Sequence, residues 1–366
     1  MRFAWYNLFV VERIIAQKKK VAVGLSGGVD SSVGALLLKN QEYEVTGVFL
    51  KCWDVKQDGC AADEDKAYAV QTAMKLGIKF EALDFSKEYK EKVIDYFYDE
   101  YSKGRTPNPD VMCNKEIKFG LFFDWAMERG FDYVSTGHYA RVLEKDGKYN
   151  LLTGLDDKKD QSYFLYQLEQ KQLSKTLFPI GDLKKPQVRK LAEENSLPAA
   201  KRPESMGICF IGEVDIKKFL EQRIKHQLGN VLDPKGNTIG DHDGVWFFTI
   251  GQRHGFRVKK YSPKPLYVVG KNADKNELVV GSEKEAMRKK FMVEEAHWTC
   301  EDPFEKTDEI KCNVRIRHLG EFFSAKVSKA GKELEVVLSK PAFGAAPGQS
   351  CVFYKNDLVL GGAVIS

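Results

Sequence analysis

Two hydrophobic periods alternate along the first part of this chain. Val21–Leu25 is a short apolar run, the pattern of a strand buried on both faces. A Gly27–Gly28 turn follows, then a segment starting near Asp30 in which Val33, Leu36 and Leu37 keep helical spacing. "YEVTGVFLK" reads as a strand, "DEDKAYAVQTAMKLG" as a helix closed by Gly77, and "KFEALDF" as a strand. "KEYKEKVIDYFYDEYSKG" and "KEIKFGLFFDWAMERG" read as helices, and "FDYVSTGHYA" as a further strand. Such alternation predicts a doubly wound parallel sheet with helices on both faces. Its ligand should lie beyond the C-terminal strand ends, where the glycine turn sits.

The texture changes near Arg202. "GEVDIKKFLEQRIKH" reads as one helix and "GNTIGDHDGVWFFTIGQRHG" as turn-rich, together a small connecting domain. From about Phe291 the helical signals vanish. "KCNVRIRHL", "FFSAKVSKAGKELEVVLS" and "QSCVFYKNDLVLGGAVI" predict short strands joined by tight turns, a small β-barrel of five-strand type. The α/β reading thus gives a nucleotide-binding domain over 1–203 (1–20 an N-terminal extension), a connecting domain over 204–285 and a barrel over 286–366.

Composition narrows the class. The 366 residues suffice for two or three domains, and 43% hydrophobic with 30% charged content is that of globular proteins. A net charge of +5 permits a polyanionic partner without demanding one. Basic residues cluster at Lys18–Lys20, Lys201–Arg202, Arg257 with Lys259 and Lys260, and Arg288–Lys290; taken singly, each reads as solvated surface. Seven cysteines without a CxxC pair argue against a disulfide scaffold or common zinc site and for a reducing, cytoplasmic setting. No apolar run reaches the ~18 residues of a membrane span. In "MRFAWYNLFVVERIIAQKKK" the apolar part precedes the charges, the reverse of a secretory signal.

Three motifs carry chemistry. "VAVGLSGGVDSS" sets a glycine turn between strand and helix, where free N–H groups hold phosphate. The lysine of a GxxxxGK[ST] loop is missing, and Ser26, Asp30, Ser31 and Ser32 stand instead. The stretch resembles the pyrophosphatase loop of enzymes that transfer AMP and release pyrophosphate. Asp30 is expected either to help place Mg²⁺ or to cap the helix. In "GRTPNPDVMCNKEIKFG" two prolines stiffen the loop, and Cys113 is expected at a helix start capped by Asn114. The helix end and Lys115 should then lower its pKa and make it a nucleophile, with a half-buried inert thiol as the alternative. In "PESMGICFIG" Cys209 lies in an apolar run, where packing is the default reading.

These motifs in this order, with "STGHYAR", "KDQSYFLYQL", "KPQVRK", "TIGQR" and "PGQS", resemble the bacterial tRNA-specific 2-thiouridylase family from about Val21 to the C-terminus. The resemblance implies ATP-dependent thiolation of the wobble uridine of tRNA. Gly24, Leu25, Ser26, Gly27, Gly28, Val29, Asp30 and Ser31 would bind ATP, with Leu50 and Gly137 near the adenine. Cys209 would carry a persulfide, supplied by a donor protein, and Cys113 would complete the transfer and close a disulfide with it. Asn108, Pro109 and Asp110 would meet the target base. His138, Lys159, Asp160, Gln161, Arg317, His318 and Gln349 would contact tRNA, with the barrel gripping its arm. The chain should act as a monomer away from membranes. It departs from the family pattern at Glu204, usually Asp; at "HGFRVKK", usually glycine-rich; and at "PLYV", usually "PWYV".

Cys52 and Cys60 offer an alternative, joining the other two in an iron–sulfur site, although their spacing is no cluster signature. Rival functions are another adenylating synthetase of the same loop class, or a nucleotide- or tRNA-binding module with dead chemistry. Because a premature disulfide would consume both reactive thiols, Cys113 and Cys209 are expected apart when tRNA is absent.

Overall fold

The alternation of β1 (Lys20–Gly24) sets the two-sided architecture of the first domain. Val21 and Val23 pack in one apolar cluster, with Leu36 of a helix on that face, while Ala22 joins Tyr89 and Phe122 on the opposite face. The computed structural model describes residues 18–53, 62–203, 209, 215–259 and 264–366. Most of the extension, Cys60, Glu204, Lys260 and all of the segment around Cys209 except that residue lie outside the described residues.

After β1 come α1 (Val29–Asn40), β2 (Glu44–Lys51), α2 (Ala62–Leu76) and β3 (Lys79–Asp84). Two long helical stretches follow, each widened by a π-segment. α3 (Ser86–Tyr89) passes through Lys90–Ile94 into α4 (Asp95–Ser102). α5 (Pro109–Cys113) passes through Asn114–Leu121 into α6 (Phe122–Glu128). β4 is shorter than its sequence pattern, only Tyr133–Ser135. The chain then leaves the sheet as the hairpin β5 (Ala140–Lys145) and β6 (Lys148–Thr153), forms α7 (Gln170–Leu173), and returns as β7 (Thr176–Leu177) before α8 (Lys185–Glu194). The sheet runs β3-β2-β1-β4-β7, parallel throughout.

The connecting region holds more sheet than its turn-rich sequence suggests. Its helix is α9 (Ile216–Glu221), shorter than the expected run. β8 (Gly229–Leu232), β9 (Thr238–His242), β10 (Arg257–Val258), β11 (Tyr267–Asn272) and β12 (Glu277–Gly281) form a sheet in the order β10-β9-β8-β12-β11. α9 docks on the first domain. Phe219 stacks on Tyr98 with ring centroids 5.4 Å apart, and the Tyr98 hydroxyl donates to the Phe219 carbonyl at 2.6 Å. Burying one such ring contributes roughly 1.5–3 kcal/mol.

The barrel comprises β13 (Met287–Trp298), β14 (Glu309–Arg315), β15 (Phe323–Ala330), β16 (Glu333–Phe343), β17 (Ser350–Lys355) and β18 (Leu358–Ile365). It has six strands, not the five-strand type expected: they run β13-β16-β15-β14-β17-β18, and β18 pairs back onto β13. The β5–β6 hairpin extends this sheet through Leu152 opposite Leu358. The first domain is thereby stitched to the last.

Candidate functional site: a phosphate loop and a buried thiol pair

The glycine turn between β1 and α1 is shaped by close approach. Gly27 has φ +76°, and a Cβ there would lie 2.3 Å from the Asp65 carbonyl oxygen, so only glycine fits. The Ser26 and Ser31 hydroxyls lie 3.2 Å apart, and Ser31 Oγ accepts from the Ser26 N–H at 3.2 Å. Ser31 and Ser32 also donate back to the Gly28 carbonyl at 3.2 and 2.9 Å. Gly137 rides against α1, where a Cβ would come within 2.7 Å of the Ser31 nitrogen. Leu50 is buried in the core.

Asp30 is not the helix cap: Gly28 holds that position, and no side chain caps α1. Its carboxylate instead takes Lys185 Nζ on both oxygens at 2.8 Å and the Tyr139 hydroxyl at 2.8 Å. Both carboxylate oxygens thus already accept hydrogen bonds from neighbouring side chains. Among the described residues no cluster of three or more His, Cys, Asp or Glu side chains is suited to a metal ion. Arg202 closes the loop from outside, donating to the Gly27 carbonyl at 3.1 Å and pairing with Asp65 at 2.6 Å.

The second centre joins two distant motifs. α5 begins at Pro109 under Asn108, whose side chain accepts from the Val111 N–H at 3.4 Å; Asn114 is not the cap. Cys113 ends α5, fully buried and away from the open N–H groups of the first turn, so the helix end does not supply the activation expected for it. The Cys113 and Cys209 thiols are close enough to influence one another, and both are free. This overturns the expectation of separated thiols. The reason is the anchoring of Cys209. Its N–H donates to Asp110 Oδ1 at 3.0 Å, its carbonyl accepts from the Tyr89 hydroxyl at 2.6 Å, and Lys118 Nζ lies 3.8 Å from its sulfur. The neighbouring Cys113 thiol, then burial, hold the Cys209 thiol well above its ordinary range. Cys52 is buried nearby, and burial pushes its thiol up as well.

The expected RNA-facing residues divide. Arg317 is exposed, and Lys159 and His318 are half-buried, with His318 against the Phe164 ring at 4.3 Å. Four others spend their hydrogen bonds inward. Asp160 is 1% exposed, accepts from the Gly154 and Ser162 N–H groups at 3.0 and 3.1 Å, and pairs with Arg315 at 2.6 Å. Gln161 accepts from the Tyr139 N–H at 3.0 Å. Gln349 donates into the loop before α5. His138 is 6% exposed, between Thr136 Oγ1 at 2.7 Å and Lys118 Nζ at 3.4 Å. Burial and the adjacent ammonium hold His138 well below its ordinary range, and therefore neutral. In the basic cluster of the connecting region, Arg257 is paired with Asp241 and Asp243 at 2.5 and 2.9 Å.

Sequence reading missed Lys118, Tyr89, Tyr139, Lys185 and Arg202. Lys118 and Lys185 stand inside quoted motifs, but nothing in the spacing says that their ammonium groups turn inward.

Three family models match: a "tRNA methyl transferase HUP domain" over 19–213, a "tRNA methyl transferase PRC-barrel domain" over 217–282 and an "aminomethyltransferase beta-barrel domain" over 288–365. A relative, the tRNA-specific 2-thiouridylase MnmA of Bacillus cytotoxicus, is 45% identical over 357 residues, covering 96% of this chain and 95% of the relative. Similar solved structures include the U34-tRNA thiolase NcsA of Methanococcus maripaludis with its [4Fe-4S] cluster (18% identity, TM-score 0.36, 56% of this chain and 63% of that one). Another is a 4-thiouridine synthetase–RNA complex with bound ATP (15% identity, TM-score 0.37, 56% and 50%). Among the described residues, no helix is long and apolar enough to cross a membrane.

Proposed function

The chain belongs to the tRNA-specific 2-thiouridylase family, and from that premise we propose that it performs ATP-dependent 2-thiolation of the wobble uridine of tRNA through a persulfide on Cys209. The observation that carries this reading is the neighbouring pair of free thiols, Cys113 and Cys209, drawn from two separate motifs. Methyl transfer, named by the family models, has no use for two facing thiols.

Uridine O2 is a poor leaving group, so it first takes the adenylyl group of ATP. The loop from Gly24 to Ser31 holds the departing pyrophosphate with backbone N–H groups and serine hydroxyls. Mg²⁺ arrives with the nucleotide. The terminal sulfur of the Cys209 persulfide then bonds to C2 of the base. Cys113 Sγ, giving up its proton, attacks Cys209 Sγ, and the S–S bond breaks toward the base. AMP leaves as the C2=S bond forms, and a Cys113–Cys209 disulfide remains. The protons given up by the persulfide and by Cys113 pass to Asp110 and solvent. A two-electron reductant reopens the disulfide, and a sulfur-donor protein reloads Cys209. Asn108, Pro109 and Asp110 meet the base; Lys159, Arg317 and His318 meet RNA; His138, Asp160, Gln161 and Gln349 hold these groups in place. The enzyme works as a cytoplasmic monomer.

Incubation with ATP, Mg²⁺, a persulfide source and unmodified tRNA should exchange one uridine oxygen for sulfur, read by nucleoside mass. Methylated nucleosides, or no thiolated uridine despite intact ATP binding, would refute the reading.

A further inference from the structure

Lys118 is half-buried, with its ammonium 3.8 Å from the Cys209 sulfur and 3.4 Å from Nε2 of His138, a ring that burial and that ammonium hold neutral. Such a cation is costly to bury unless anionic charge appears beside it. Burial alone would drive the ammonium toward its neutral form. The Cys209, Cys113, Asp110 and Cys52 groups overcome this and hold Lys118 protonated above its ordinary range.

Its position depends on an irregularity of the helix. At 3.6 residues per turn, five residues would set Lys118 about 140° round the helix from Cys113. The π-segment Asn114–Leu121 widens the turn, so that a five-residue step is close to one revolution and Lys118 faces the sulfurs. A second side chain then aims it. Lys118 donates to His138 Nε2 at 3.4 Å, which leaves the neutral imidazole its Nδ1–H to donate to Thr136 Oγ1 at 2.7 Å.

We propose that Lys118, aimed by the Thr136–His138 relay, is a positioning residue whose ammonium serves as counter-ion to the sulfur anion that forms at Cys209. The inference rests on the thiolation reading for its purpose, but its test uses neither tRNA nor ATP. A failure therefore tells against Lys118 and leaves the thiolation reading standing, while absent thiolation does not touch the counter-ion effect.

The test is alkylation of the ATP- and tRNA-free chain by iodoacetamide at fixed pH, mapped by peptide mass, with Cys300 as reference for the reagent and buried Cys312 and Cys351 as sentinels of folding. An opposite charge within ~4–6 Å shifts a pKa by about 1–3 units, and below its pKa a thiol loses reactivity tenfold per unit. Lys118→Met should therefore slow Cys209 at least about tenfold, and Lys118→Arg should restore most of the rate. An unchanged Cys209 rate in the methionine variant overturns the proposal. Should that variant label at Cys312 and Cys351, and so be unfolded, Thr136→Val carries the test, because it removes only the hydroxyl that fixes His138. Slowing of Cys209 by threefold or more supports the counter-ion, and an unchanged rate refutes it.

Discussion

Gln349, on the loop between β16 and β17 of the barrel, donates its amide to the carbonyls of Thr106 and Pro107 at 2.9 and 3.1 Å. The backbone reinforces the link, with the Thr106 N–H donating to the Pro347 carbonyl at 2.8 Å. The loop that presents Asn108, Pro109 and Asp110 is thus held by a domain more than two hundred residues downstream. Gln349→Ala leaves two carbonyls short of a donor, at a cost of about 1–3 kcal/mol. Thermal melts should show that loss. Thiolation should fall while ATP binding stays unchanged; a fall in both would move Gln349 out of the base-side loop and into the general fold.

The Asp160–Arg315 pair should behave as a buried bridge. Both side chains are almost inaccessible, and Arg315 also lies 3.8 Å over the Phe322 ring. Removing one partner strands a buried charge, for which about 3–5 kcal/mol is typical. Asp160→Ala should therefore destabilise more than the Asp160→Ala, Arg315→Met double variant in urea titrations. Additive losses would show that the two charges do not act as a pair.

Cys113→Ser and Cys209→Ser should each abolish thiolation while ATP and tRNA affinities stay within about twofold, the noise expected of a substitution distant from the phosphate loop. One turnover of the native chain without reductant should leave a Cys113–Cys209 disulfide in non-reducing peptide maps. Two free thiols beside thiolated tRNA would exclude the disulfide step.

Lys271 supplies a pH test far from the thiols. Burial lowers its pKa from the ordinary 10.5 to about 8, while its ammonium donates to the Phe248 carbonyl at 2.5 Å. Between pH 8 and 10.5 the unfolded chain binds the proton that the folded chain has released. Stability should therefore rise with pH through that window, and the penalty should be fully present below pH 8. Lys271→Met should remove this slope and be the more stable chain at pH 7, by urea midpoint. Parallel pH profiles for the two proteins would reject the assignment.

Along the chain, local pattern was enough for β1, the glycine turn, α1 and β2, because a buried parallel strand and an amphipathic helix each write a period into consecutive residues. It was enough as well to offer Cys113 and the phosphate loop as candidates, from residue type, whereas Cys209 read as packing until the family resemblance singled it out. What the sequence could not contain is any relation that depends on two distant segments meeting. The helix period hides Lys118, since only a π-segment turns it toward Cys113. Asp30 reads as a Mg²⁺ ligand or a cap, and only the fold brings Lys185 and Tyr139 from other elements to its carboxylate. The resemblance sets Asp160, His138 and Gln349 against tRNA, and the fold turns their hydrogen bonds inward. The β5–β6 hairpin reads as part of the first domain, yet its free edge finds a partner in the barrel strand β18. Sequence period reports the face a residue presents to its own element. The partner on the other side of that face is chosen by packing, where an unsatisfied polar group or an open strand edge costs more than the chain closure that covers it.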